Sequence, residues 1–192
     1  GRDCICPSGY DGICGNRFSR KLGELPFGYD HKYTYSHFGY NLKATDLQAS
    51  IGIEQIKKIQ EFIKKRRNNW DRLRCILESI NQKIILPESE DNSLPSWFGF
   101  LISIKEGSGI DRNRITQYLE KHQIQTRLLF AGNLIRHPAF DSIRNTDAYR
   151  VVGDLKITDY VMNNSFWVGV YPGMTEDMID YMAEIIKKAM EV

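Results

Sequence analysis

Residues 45–80 carry the clearest secondary-structure signal in the chain, and they read TDLQASIGIEQIKKIQEFIKKRRNNWDRLRCILESI. Thr45 and Gln48 form the pair of a helix capping box, and Asp46 places a negative charge in the first turn. Apolar residues then recur at helical spacing on one face: Ile56, Ile59, Ile63, Trp70, Leu73, Leu77 and Ile80. The pattern predicts a helix over residues 46–80, about 50 Å long at 1.5 Å per residue. Because that length exceeds the width of a small domain, we expect the helix to bend and to join two bodies.

Two regions of different character flank this helix. Residues 1–44 are rich in glycine and aromatic residues, and such loops rarely fold alone. We expect the aromatic stretch 29–40 to lie against the rest of the chain or against a partner. The region after the helix interleaves strands and helices, with strands predicted over 97–104, 125–130 and 166–170 and helices over 112–122, part of 157–162 and from Thr175 onward. This order predicts an α/β fold with helices on one face of a small sheet.

The composition is that of an ordinary globular chain. Lys and Arg number 26 and Asp and Glu 24 among 192 residues, and the resulting net charge of +2 argues against a nucleic-acid-binding arm. No apolar run approaches the roughly 20 residues of a membrane helix, and the first ten residues lack the apolar core of a signal peptide. We therefore expect a cytoplasmic protein with no nucleic-acid and no membrane partner.

A basic run, Lys64-Lys65-Arg66-Arg67, lies within the predicted helix. A basic helix face is one signature of nucleic-acid binding. Because acidic residues balance the charge elsewhere in the chain, we interpret this run as a solvated helix face.

The cysteines are distributed unevenly, since three of the four lie in the first 14 residues at Cys4, Cys6 and Cys14. Without a secretion signal, clustered thiolates indicate a metal or iron–sulfur site rather than disulfides. Three thiolates are one short of the usual four ligands. Cys75 is a poor fourth ligand, because we expect a partly buried helix thiol at that position. The chain opens at Gly1 without an initiator Met, and we expect it to be part of a longer protein.

The segment YDHKYTYSHFGYNLKATDLQASIGIEQIKKI (residues 29–59) contains G-Y-N-x-K-x-T-D-x-Q-A-x-x-G-x-x-Q-x-x-K. This pattern resembles the sugar aminotransferase family of nucleotide-sugar metabolism, which are fold type I pyridoxal-phosphate enzymes. Further blocks, GRDCICPSGYDGIC, SWFGF, TRLLFAGNLIRHPAF and FWVGVYPGMTEDMI, resemble the CDP-6-deoxy-L-threo-D-glycero-4-hexulose 3-dehydrases of lipopolysaccharide biosynthesis within that family. The resemblance implies the C-terminal part of such an enzyme: the end of the large cofactor domain over 1–44, a linking helix over 45–82 and a small α/β domain over 83–192.

The resemblance also implies a reaction. These dehydrases use pyridoxamine phosphate to remove the C3 hydroxyl of a CDP-linked 4-keto-6-deoxy sugar, and the product leads to the 3,6-dideoxyhexoses of O-antigen. A His stands in place of the usual cofactor Lys and acts as the base. A [2Fe–2S] cluster relays electrons from an NADH-dependent iron–sulfur flavoprotein reductase. The resemblance also implies that the full-length enzyme forms a homodimer. Because the base lies upstream in these enzymes, we expect no catalytic residue in this chain and no activity of it alone.

The resemblance implies roles for several residues. The three clustered cysteines match cluster ligands, with the fourth ligand upstream. Asn41 matches a residue that reaches the cofactor phosphate of the neighbouring subunit, and Phe98 matches an aromatic near the cofactor. Arg127 and Asn133 lie in a block on the substrate side.

Two alternatives remain open. The chain could be the C-terminal half of a pyridoxal-phosphate-dependent nucleotide-sugar aminotransferase, although such an enzyme has no use for a cluster. It could instead be a non-enzymatic zinc or interaction module, in which Cys75 or a His completes the zinc site.

Overall fold

The computed structural model describes residues 14–40, 42 and 44–191. The chain divides between Ile53 and Glu54 into two compact units. No helix among the described residues is long and apolar enough to cross a membrane.

The helix predicted over residues 46–80 is divided into two. Helix α1 spans Asp46–Ile56 and helix α2 spans Ile59–Leu77, and a 3-10 turn follows at Glu78–Ile80. Between the two helices, the N–H of Lys58 donates to the carbonyl of Gln55, three residues back, at 3.0 Å. In an α-helix each N–H donates to the carbonyl four residues back. The bond to the third residue back therefore forms a tighter, 3-10-like turn that interrupts the helix.

Three helix starts follow the capping signals in the sequence. The N–H of Thr45 donates to Oε1 of Gln48 at 2.9 Å, and the N–H of Gln48 donates to Oγ1 of Thr45 at 3.3 Å, so the capping box is confirmed. Asp111 accepts the N–H of Asn113 at 2.6 Å. Thr175 accepts an N–H from the third residue after it at 3.3 Å. Each cap satisfies a backbone donor that the first helical turn leaves unpaired.

A four-stranded antiparallel sheet forms the centre of the second unit. Its strands are β1 (Ile84–Ile85), β2 (Gly99–Ile104), β3 (Thr126–Arg127) and β4 (Ser165–Gly169), in the spatial order β1-β2-β4-β3. The three predicted strands are confirmed: β2 and β3 are shorter than predicted and β4 is displaced by one residue, whereas β1 was not predicted. A two-residue strand is too short for a period-two pattern to reveal.

Three helices join this sheet from the rest of the unit: α3 (Arg112–Lys121), α4 (Lys156–Asn164) and α5 (Glu176–Ala189). Helix α5 contacts both α2 and α3, and these three helices hold the buried apolar residues of the helical layer. The predicted stripe of α5 is confirmed, with all of its members buried: Ile179, Met182, Ile185, Ile186 and Ala189.

Alternation along the central strands separates a buried face from a more open one. Phe100 and Ile102 of β2 pair with Val168 and Phe166 of β4, and all four side chains are fully buried. The residues between them on each strand are only half-buried. Side chains point to opposite faces at alternate positions. The helical core therefore covers one face of the sheet, and Trp167 lies on the other.

The apolar stripe of the long predicted helix is buried only in its second half. Trp70, Leu73 and Leu77 lie in the core, whereas Ile56 and Ile59 are exposed. The second half of α2 therefore belongs to the core of the second unit.

The expectation of a partly buried thiol at Cys75 is wrong, because this residue is exposed. It lies two positions from both Leu73 and Leu77, which face the core. At 100° per residue, two positions turn a side chain by about 200°, toward the opposite face of the helix.

Replacing Leu73 by Ala tests the contribution of α2 to the core. Leu73 is fully buried, so Leu73→Ala should lower the free energy of unfolding by about 2–5 kcal/mol through lost burial and a residual cavity. Urea unfolding measures this. Leu94→Ala is the matched control, because Leu94 is 82% exposed and the same change there should cost less than about 0.5 kcal/mol. Equal losses in both variants would contradict the assignment of α2 to the core.

Candidate functional site

A cleft of about 650 Å³ lies in the second unit, beside β3 and the end of β4. It is lined by Arg66 of α2, by side chains of both strands, and by the start of α5. The lining residues are Arg66, Phe98, His122, Gln123, Ile124, Gln125, Arg127, Trp167, Gly169, Tyr171, Met174, Met178, Tyr181 and Met182. Two residues predicted as site residues, Phe98 and Arg127, are therefore brought together in one cleft.

An indole ring is fixed in the wall of this cleft. Nε1 of Trp167 donates to the carbonyl of Leu128 at 3.1 Å. The ring of Phe98 lies 5.0 Å from the indole, and the guanidinium carbon of Arg127 lies 5.7 Å from its centre. Aromatic and cation–π contacts at these distances favour the observed ring orientation. Trp167 thus forms a rigid apolar wall between the two predicted site residues.

Gly99 makes room for this indole. A Cβ at this position would lie 2.3 Å from Cε3 of Trp167 and 3.0 Å from the carbonyl oxygen of Val168. Non-bonded carbon atoms prefer separations of about 3.5–4.0 Å. The glycine is therefore required by the close approach of the ring to the strand.

The charges around the cleft are of one sign. Among the lining residues that the structure describes, two are arginines and none carries a carboxylate. Arg66 is held in place, since its Nη1 donates to the carbonyl of Trp97 at 3.0 Å, whereas Arg127 is exposed. Guanidinium groups bind phosphates and carboxylates in a planar, bidentate geometry. An aromatic wall beside two arginines suits a planar or sugar-bearing ligand with negative charge.

The interpretation of the basic run as a solvated face is wrong for its arginines. Besides Arg66, Nε of Arg67 donates to the carbonyl of Pro95 at 3.0 Å, and Arg67 also donates to the carbonyl of Leu94. These bonds fasten the loop before β2 to helix α2. The pattern of charges along the helix gave no sign of them, because the acceptors lie about 30 residues away in sequence.

Asn133 occupies a different environment from the cleft residues. Its side chain is 2% exposed, and its amide donates to Oδ1 of Asp159 at 2.7 Å. Nη2 of Arg136 donates to the other oxygen of this carboxylate at 2.7 Å. The guanidinium of Arg136, and then the amide of Asn133, hold the pKa of Asp159 below its usual value. Asn133 fastens the loop after β3 to helix α4, and its assignment to the substrate side stays a prediction.

The described part of the first unit includes one of the three cysteines predicted as ligands. Sγ of Cys14 lies 3.7 Å from Nε2 of His31, and Cys14 is half-buried. Cys4, Cys6 and Asn41 lie outside the described residues. Within the described part of the chain, no three His, Cys, Asp or Glu side chains lie close enough together to hold a metal ion.

An ion pair orders the backbone around His31. Arg17 donates to both carboxylate oxygens of Asp30, with its shortest bond at 2.7 Å. This guanidinium holds the pKa of Asp30 below its usual value. Asp30 also accepts the N–H of Lys32 at 3.0 Å and thereby caps the 3-10 turn His31–Tyr33.

Comparison with known proteins gives the family. The sequence pattern of the DegT/DnrJ/EryC1/StrS aminotransferase family matches residues 19–187. The chain belongs to this family. A lipopolysaccharide biosynthesis protein, RfbH, of Salmonella typhimurium strain LT2 is 51% identical over 95% of the chain and 41% of its own length. A dTDP-4-dehydro-2,6-dideoxy-D-glucose 3-dehydratase of Saccharopolyspora spinosa is 50% identical over 97% of the chain and 39% of its own length.

Solved structures agree with the family. An E. coli GDP-4-keto-6-deoxy-D-mannose-3-dehydratase with bound hydrated PLP superimposes with a TM-score of 0.70 at 28% identity, covering 81% of this chain and 39% of that one. The predicted fold class is confirmed: the chain has the α/β fold of the C-terminal part of a fold type I enzyme. It spans about two fifths of the length of the relatives it matches.

Replacing Gly99 by Ala tests the packing of the indole. Gly99→Ala should displace the ring of Trp167 and lower the free energy of unfolding by about 1–3 kcal/mol, because an overpacked site must shift its neighbours. Urea unfolding and near-ultraviolet circular dichroism measure the two effects. Gly169→Ala, at the cross-strand partner of Gly99, is the matched control, since a Cβ there meets nothing within 4 Å. An unchanged dichroism spectrum in Gly99→Ala would contradict the close approach.

Proposed function

We propose that this chain is the C-terminal part of a nucleotide-sugar 3-dehydrase that depends on pyridoxamine phosphate and a [2Fe–2S] cluster. Residues 1–44 would end the large cofactor domain, 45–82 would link the domains, and 83–192 would form the small domain. The enzyme would make precursors of 3,6-dideoxyhexoses for O-antigen. Family membership and the two relatives of about 50% identity, a lipopolysaccharide biosynthesis protein and a sugar 3-dehydratase, support this proposal.

One observation carries the proposal. Phe98 and Arg127, which the family pattern assigns to the cofactor and the substrate, lie 29 residues apart in sequence and yet line the same cleft. The indole of Trp167 lies against both side chains. Such convergence of an aromatic wall and a guanidinium is the arrangement that a phosphate-bearing sugar substrate requires.

The cleft residues fit the proposed cofactor and substrate. When bound, pyridoxamine phosphate supplies the amine that condenses with the C4 keto group of the sugar. Arg127 would bind a phosphate oxygen of the substrate, while Phe98 and Trp167 would exclude water from one side of the sugar. Asn41 would donate to the cofactor phosphate of the neighbouring subunit in a homodimer. The base that removes a proton would come from upstream sequence, so the chain alone would be inactive.

The surroundings of Cys14 suit a ligand of an iron–sulfur cluster. Cys14 is half-buried, so the residue is accessible, and an imidazole nitrogen lies beside its sulfur. Together with Cys4, Cys6 and one upstream cysteine it would complete the usual four thiolates. The cluster would pass electrons from an NADH-dependent iron–sulfur flavoprotein reductase to the bound sugar. We propose a CDP-linked sugar as substrate and a cytoplasmic location for the enzyme.

Cysteine substitutions in the full-length enzyme that contains this sequence test the cluster. Each of Cys4→Ser, Cys6→Ser and Cys14→Ser should lose iron and reductase-dependent turnover, because a serine oxygen replaces a thiolate ligand. Iron analysis and visible absorbance measure the first effect. Cys75→Ser is the control and should keep its iron. A colourless full-length enzyme with full activity would rule out a role for the cluster. One zinc per chain without iron would favour the zinc module.

Arg127→Ala in the same enzyme tests the substrate role of the cleft. Loss of one charge-assisted hydrogen bond of about 1.5–3 kcal/mol should lower kcat/KM for the nucleotide sugar about ten- to hundredfold. Steady-state kinetics measure this. Arg150→Ala is the control, because Arg150 is exposed and does not line the cleft. Equal kcat/KM in the two variants would contradict the role of Arg127 in binding the substrate.

A further inference from the structure

A histidine lies directly against the sulfur of Cys14. Nε2 of His31 is 3.7 Å from Sγ of Cys14, although the two residues are 17 positions apart in sequence. His31 is 6% exposed, whereas Cys14 is half-buried. The imidazole is therefore enclosed by protein, whereas Cys14 remains partly accessible.

Backbone hydrogen bonds of His31 stabilise its position beside the sulfur of Cys14. The N–H of His31 bonds to the carbonyl of Arg17 at 3.4 Å, and the carbonyl of His31 accepts the N–H of Thr34 at 3.1 Å. Arg17 lies three residues after Cys14 and also binds the carboxylate of Asp30, the neighbour of His31. The segment that carries the cysteine and the turn that carries the histidine are thus tied together by one arginine.

We propose that His31 is a positioning residue for the cluster, whose Nε2–H donates a hydrogen bond to Sγ of Cys14 and raises the reduction potential of the [2Fe–2S] centre. This inference rests on the proposed function. A metal-bound thiolate carries no proton, so the imidazole is the partner that must donate. The bond withdraws electron density from the sulfur and stabilises the reduced cluster, which carries the additional negative charge.

The number of ligands assigns His31 its role. A metal ion bound to both atoms at a tetrahedral angle would leave Sγ and Nε2 about 3.6 Å apart, so the observed 3.7 Å suits a ligand as well as a donor. The four thiolates of the proposed centre already complete the usual ligand set of a [2Fe–2S] cluster. His31 is therefore assigned as a donor to a ligand and not as a ligand itself.

The test uses the full-length enzyme that contains this sequence, loaded with iron and sulfide. Redox titration followed by electron paramagnetic resonance gives the midpoint potential of the cluster. His31→Leu, which keeps the bulk and removes the donor, should shift the ratio of reduced to oxidised cluster about tenfold toward the oxidised form at a fixed potential. That shift corresponds to a potential lower by about 59 mV for a one-electron couple.

Two further variants separate the hydrogen bond from a structural effect. His31→Gln retains an N–H near the position of Nε2 and should restore most of the wild-type potential. His137→Leu is the matched control, the same change at an exposed histidine of the second unit, and should leave the potential unchanged. Pulsed electron paramagnetic resonance of the wild type should show one weakly coupled nitrogen that His31→Leu loses.

The outcomes distinguish this inference from the proposed function. A wild-type enzyme that binds no iron overturns the proposed function, and the inference with it. A wild-type cluster whose potential is the same in His31→Leu overturns the inference alone. A strongly coupled nitrogen, or iron loss in His31→Leu and His31→Gln alike, would make His31 a ligand and also overturn the inference.

Discussion

The antiparallel pairing of β2 with β4 is the constraint on which the second unit depends. In this register Phe100 faces the helices beside Val168, and Trp167 is carried to the opposite face. A slip of one residue would exchange the two faces, placing the indole in the core and core side chains in the cleft. The same ladder therefore provides both the hydrophobic core and the aromatic wall of the site. Gly99 is needed in this register because the indole lies directly over it.

Helix α2 connects the core to the cleft. Its apolar side, with Leu73 and Leu77, is buried. Its arginines reach in other directions: Arg66 and Arg67 hold the loop before β2, and Arg72 forms two bonds of 2.7 Å with Asp180 of α5. Exposed ion pairs add little to stability, but bonds from guanidinium groups to loop carbonyls restrict where Phe98 can lie. The helix thus positions one wall of the cleft through contacts that its amphipathic pattern does not show.

Local features of the fold could be predicted from the sequence, and non-local ones could not. The caps at Asp111 and Thr175 depend on groups within three residues, so composition and spacing were sufficient. The cleft joins residues from α2, β3, β4 and α5, and only the family pattern indicated Phe98 and Arg127. Trp167 had no local signal, because a tryptophan in a strand is usually a core residue. The length of the predicted helix indicated a bend, but its position at Lys58 had no signal, since neither Gly nor Pro marks it.

The two units differ in how much of their apolar surface they bury. The second unit, nearly three-quarters of the chain, encloses a continuous apolar core. In the first unit, aromatic and aliphatic side chains such as Phe38, Tyr40 and Leu47 are largely exposed. Large exposed apolar patches on soluble proteins mark surfaces that another body covers. The expectation that the aromatic stretch lies against the rest of the chain or against a partner follows from the same physics. Upstream sequence or a second subunit of a homodimeric dehydrase would provide that cover, so the exposure supports the proposal that the chain works as part of a larger enzyme.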